Sequence, residues 1–491
     1  MMKMIRLLLV VWCTFTLFAV VGASGQTMKP VDKCLSCHTD IGSDEATAYM
    51  TDIHYKAGVT CADCHGGDPT VEDQDAAMNP KKGYVGVPKP SSIPEMCGKC
   101  HGSEKSTFKT AYHLDDVMDE FLASVHGRAL SQSSKGPTCI SCHGIHNILD
   151  INSVKSPVYP TNVTKTCAKC HSDPDYMKKF NPGLPVDQYE KYLTSVHGKL
   201  NKAGDPKPAT CVSCHSNHLI RSVKDPRSPV YPMNIPRTCA KCHSDKSYMA
   251  QYNIPTNQYA DYKQSVHGIA LLQNSDLSAP ACNSCHGNHG AVPPGASSVA
   301  SVCGTCHQAN SDLFDKSVHR AAFAKSNLPG CVVCHSNHLV RQPSDTMIGF
   351  GPESVCGKCH KDVPTNSAAS SILAIQATLD SLTVGRTDAE SLLGHAEQLG
   401  MDVSDASYSL KDVNQSLVES RVQVHSFNAS LVKSAAEPGL KIVGNAQVSA
   451  LGEIKEYYFR REGLGVATLI ITALAVLLFL KIKQIERRSE K

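Results

Sequence analysis

The chain has 491 residues, a formal net charge of +3, aromatic residues at 6 % and a single tryptophan, Trp12. Length alone suggests about three domains, but so few aromatics exclude a row of large conventional cores. The near-neutral charge offers no basic field for nucleic acid, and no nucleic-acid partner is expected.

The N-terminus carries Lys3 and Arg6, an apolar run over 7–21, and then Gly22, Ala23, Ser24 and Gly25. That order reads as a secretory signal, with cleavage after Ala23 or Gly25 and residues 1–23 taken as the signal peptide; an uncleaved anchor is the alternative. Cys13 lies too deep in the apolar run to be a lipoprotein cysteine.

From Cys34 onward one motif dominates, Cys-x-x-Cys-His, eleven times. Its cysteines are Cys34 and Cys37, Cys61 and Cys64, Cys97 and Cys100, Cys139 and Cys142, Cys167 and Cys170, and Cys211 and Cys214. They continue with Cys239 and Cys242, Cys282 and Cys285, Cys303 and Cys306, Cys331 and Cys334, and Cys356 and Cys359. The histidines completing them are His38, His65, His101, His143, His171, His215, His243, His286, His307, His335 and His360. Zinc ribbons need no histidine after every cysteine pair, and a disulfide framework has no reason to keep one spacing eleven times. The motif is that of c-type haem attachment, in which two thiols form thioethers and the adjacent histidine binds the iron. Eleven covalent haem c groups are expected, with about thirty residues for each between Cys34 and His360. So little chain per group leaves the porphyrins to supply the apolar interior, and the apoprotein should be largely unfolded. The haem propionates should make the loaded protein acidic.

A lone first motif, at His38, precedes five repeats, each a leading histidine followed by two motifs. The leading histidines are His54, His126, His197, His267 and His319. They are expected at the ends of short helices, such as the one over 187–197 that Gly198 would stop. Four more histidines, His146, His218, His289 and His338, stand three residues after a motif histidine. So close to one ligand, each suits the iron of a neighbouring haem; a plain surface histidine is the alternative. With His113 these make ten second ligands for eleven irons, one short. His425 has helical spacing with Val418, Val422, Ala429 and Val432, so it should face inward. It is either a packed core histidine or the missing ligand, docking its helix on the haem region.

The expected fold class is mainly α with irregular loop. Residues 24–363 form the undecahaem domain, 364–462 a haem-free helical hairpin or three-helix domain, and 463–482 a transmembrane helix. Residues 483–491 form a basic tail, placed on the cytoplasmic side by its excess of Lys and Arg.

These motifs, with the Ser-Val-His-Gly and Cys-His-x-x-His patterns, resemble the large multihaem c-type cytochromes of anaerobically respiring bacteria. The resemblance covers about two thirds of the chain. It implies a carrier on the periplasmic side of the cytoplasmic membrane, fed by a membrane quinol-oxidising subunit and passing electrons to periplasmic cytochromes or extracellular acceptors. The packing style is also similar to pentahaem nitrite reductases, octahaem hydroxylamine oxidoreductases and tetrathionate reductases, which keep one open iron. The Cys-x-x-Cys-Lys motif common in the nitrite reductases is missing here. Two functions follow: a wire with every iron six-coordinate and no catalytic residue, or an oxidoreductase with one open haem acting on a small nitrogen or sulfur compound.

Overall fold

The computed structural model describes residues 32–102, 116–295, 298–360 and 367–489. The segment read as a signal peptide, His113 and the last two residues of the tail lie outside them. Every regular element among the described residues is an α- or 3-10 helix, so the mainly α expectation holds.

The first motif of a repeat forms a helix of its own, as in Cys61–His65, Cys139–His143, Cys211–His215 and Cys282–His286. One turn does not persist on propensity; these turns are pinned at the N-terminus. Asp63, Ser141, Ser213 and Ser284 reach back to accept from the backbone N–H of Thr60, Thr138, Thr210 and Ala281 at 2.6–3.2 Å. The second motif closes a longer helix, as in Ile93–His101, Pro160–His171 and Ile235–His243. Each of these carries proline in its first turn, where no N–H is needed.

The leading histidines depart from expectation. They do not end helices; they begin new ones, in Val125–Ser133, Val196–Lys202 and Val266–Leu272. The chain turns a corner at a buried serine that ends one helix and caps the next. Its Oγ donates to Phe121, Tyr192 or Tyr262 O at 2.6–2.7 Å. The same Oγ accepts from the N–H of Gly127, Gly198 or Gly268 at 2.8–3.0 Å. Gly198 is no stop. A Cβ there would meet Tyr192 O at 1.9 Å, so glycine is what lets the two helices cross.

The chain divides into two compact units, one of residues 1–182 with 217–220, the other of 183–216 with 221–491. Within each, one hydrogen bond locks a repeat to its successor. In the first unit Ile53 N–H donates to Ile148 O and Val125 N–H to Ile220 O, both at 2.8 Å. In the second, Val196 donates to Ala291 at 3.1 Å and Val266 to Val340 at 2.9 Å. Each donor precedes a leading histidine, and each acceptor lies two residues past a Cys-His-x-x-His histidine of the next repeat.

The second unit also contains the haem-free helices. Ser367–Gln398 runs outward, Ser404–Leu410 and Val413–Gln423 return, and Ala429–Ser489 runs outward again. Their register is fixed by Leu382 and Ser416 against Gly439, and by Gly385 against Val443. Leu382, Leu393, Leu410, Val413, Leu417 and Val443 form an apolar core there. The last helix continues without a break into an apolar stretch with none of its span buried, and it is long and apolar enough to cross a membrane.

Candidate functional site

The histidines stand in pairs. Among the described residues, each motif histidine from His65 to His360 has a second imidazole opposite it, with ring centroids 5.9–6.3 Å apart. The second motif of a repeat faces its own leading histidine: His101 with His54, His171 with His126, His243 with His197, His307 with His267, and His360 with His319. The first motif faces the Cys-His-x-x-His histidine of the following repeat: His65 with His146, His143 with His218, His215 with His289, and His286 with His338. His335, in the last repeat, has no following repeat, and the ring opposite it is His425 at 6.1 Å. His113, counted among the second ligands, lies outside the described residues, and His395 is exposed on its helix.

The two sets differ in ring orientation. First-motif pairs are nearly parallel, with 11–24° between planes, and His335–His425 at 23° belongs with them. Leading-histidine pairs are turned by 41–83°. A ring carried on a helix start and one carried on a loop reach the gap from different directions, so the two geometries alternate along the chain.

These gaps fit a metal held by two imidazoles. Two metal–nitrogen bonds of about 2 Å plus the ring radii account for the separation. No group of three or more His, Cys, Asp or Glu that could hold a metal occurs among the described residues. The protein thus offers two imidazole nitrogens per site, and a porphyrin would supply the remaining donors such a metal needs. No disulfide joins the motif cysteines among the described residues, as thioether attachment requires. Burial pushes most of the paired imidazoles down toward the neutral form that binds metal. His126 falls to about 4, through burial and then the nearby His171. His171, His197 and His218 shift the same way, chiefly by burial.

The attachment cysteines follow one another in space as they do in sequence. In the first unit Cys61 lies by Cys34, Cys64 by Cys100, Cys97 by Cys139, and Cys142 by Cys170. In the second, Cys214 lies by Cys239, Cys239 by Cys282, Cys285 by Cys306, Cys303 by Cys331, and Cys334 by Cys356.

Around His425 the bundle grips the last repeat. Val422 O accepts from the His425 Nδ1–H at 3.0 Å, and Asn310 Nδ2 lies 3.4 Å from Nε2. Arg421 makes two bonds to Asp345, at 2.9 and 2.8 Å. Phe427, in the left-handed region at φ 53°, packs its ring 3.9 Å from that of His319. None of these helpers carries a sequence signal. Asp52, Ser124, Ser195 and Ser265 were legible only as the residue two places before each leading histidine.

Two family models match the chain: cytochrome c3 over residues 53–173, and cytochrome c554 and c-prime over residues 20–66. No curated protein and no solved structure matches it. The matches, with the motif-borne imidazole pairs, support a class: a multihaem c-type cytochrome of mainly helical fold, of the kind that transfers electrons through covalently bound haem c.

Proposed function

We propose that this protein is an undecahaem electron wire, anchored by its C-terminal helix at the outer face of the cytoplasmic membrane. It carries electrons between a quinol-linked donor and periplasmic or extracellular acceptors in anaerobic respiration. The observation that carries this reading is the second imidazole opposite every motif histidine from His65 to His360. Bound there, haem c supplies one-electron chemistry. The chain's own residues would hold each of these ten sites through two histidines, most of them shifted toward the neutral form by burial, and leave no position for a substrate there. Paired imidazoles favour low potentials relative to His/Met ligation, which suits a quinol-linked carrier. The series of neighbouring attachment cysteines supports hopping from site to site. An oxidoreductase would need a motif histidine with an open face opposite it.

The bundle sets the His335 and His425 pair some 50 Å of helix, at 1.5 Å per residue, from the apolar stretch. A protein donor reaching out of the membrane, rather than a quinol directly, therefore serves this end. The basic residues Lys481, Lys483, Arg487 and Arg488 favour a cytoplasmic tail.

The test combines intact mass with electron paramagnetic resonance of the oxidised protein. Eleven haems, all low-spin, are expected. The spectrum should hold two populations of similar size, because parallel and crossed imidazole planes split the iron orbitals differently. A stoichiometric high-spin signal would turn the reading toward the enzyme.

A further inference from the structure

Five leading histidines occupy equivalent places, and at four of them the residue two positions earlier is a serine: Ser124, Ser195, Ser265 and Ser317. In the first repeat that position is Asp52. The exchange is not a surface variation, because Asp52 is 1 % exposed. Its Oδ1 accepts from the His54 backbone N–H at 2.7 Å and from the His54 ring Nδ1–H at 2.9 Å. Its Oδ2 accepts from Ile148 N–H at 2.6 Å. Ile148 lies in the loop that carries His146, so one carboxylate touches ligand-bearing segments of two neighbouring sites.

A buried aspartate keeps its charge only when it is well bonded. Three donors meet this one, the His54 ring and the amides of His54 and Ile148. The charge therefore stays, and it leans on the far nitrogen of a ligand ring. A carboxylate in that position makes the imidazole more basic and favours the more positive, oxidised state of the metal it holds. A serine cap positions the helix equally well and adds no charge.

We propose that Asp52 is a charge-setting, positioning residue that lowers the reduction potential of the His54–His101 site below those of the four sites with serine at that position. This rests on the reading that these two histidines hold a haem. The wire is then not level. Its first repeat contains a low-potential step, where an electron dwells least and passes on quickly to its neighbours.

The experiment is potentiometric titration of the purified holoprotein, followed by absorbance, for the native chain, Asp52→Asn, Asp52→Ser and Asp52→Glu. Haem load is measured by intact mass and spin state by paramagnetic resonance. In the two neutral variants one component should move to higher potential, its oxidised-to-reduced ratio changing at least tenfold, about 59 mV for one electron. Load and low-spin character should be unchanged, and Asp52→Glu should titrate like the native protein. Superimposable titrations in fully loaded, low-spin neutral variants would overturn the proposal. So would loss of haem from Asp52→Ser, because that variant copies a cap present in the sister repeats and its failure would make Asp52 purely structural. Failure of the underlying reading looks different: the native protein would itself lack its full haem load or its low-spin signal.

Discussion

Within the second compact unit, the haem repeats and the C-terminal bundle are held together by opposite means. In the bundle, Leu382 and Val413 are wholly buried in one apolar cluster, and Leu379 and Val432 in a second. Each such side chain contributes about 1.5–3 kcal/mol. In the repeats, the largest described apolar cluster gathers only Tyr262, Leu271 and Ala281 around a fully buried centre. What recurs there instead is a corner serine, a crossing glycine and a backbone bond to the next repeat. Those devices fix direction, but they add little free energy. The difference teaches that the repeats are a frame for cofactors, while the bundle is a protein fold in the ordinary sense.

The largest effect that could break this comparison comes from withholding haem. Expressed without the attachment machinery, the chain should lose its repeats to proteolysis and keep a helical fragment centred on 367–489. Circular dichroism of that fragment should show a cooperative melt. Protease-resistant repeats without haem would sink the contrast.

A smaller effect tests the point where the two regions meet. His425→Ala removes the ring opposite His335 while leaving the bundle core intact. If the native protein is wholly low-spin, the variant should gain about one high-spin haem per chain by paramagnetic resonance, with bundle melting little changed. An unchanged spectrum would remove His425 from the ligand set.

The smallest effect lies in the backbone. After the first-motif histidine the chain takes a positive φ with extended ψ, at Gly66, Gly144 and Gly287 but also at Ser216 (φ 68°, ψ 176°) and Ser336 (φ 66°, ψ −179°). That region is close to glycine-only and costs a side chain about 1–3 kcal/mol. Ser216→Gly should therefore raise the stability of its repeat by about 1 kcal/mol, read as a higher denaturant midpoint with haem spectra unchanged. A lower midpoint would show that the Ser216 side chain repays the strain.

By itself the sequence marked the candidate attachment points, because covalent chemistry needs two thiols and an imidazole at one local spacing. It determined the mainly helical class and the apolar C-terminal span, since periodicity and run length are local as well. It also supplied the shortage in the histidine count that singled out His425. Only the tertiary structure decided which ring stands opposite which. His146 and His338 belong to gaps opened by the preceding repeat, and that register is set by bonds such as Ile53 to Ile148, between residues far apart in the chain. Gly198 shows the same limit. Read locally it is a helix stop, and only the path of the preceding helix reveals that glycine is there because another backbone passes too close for a side chain.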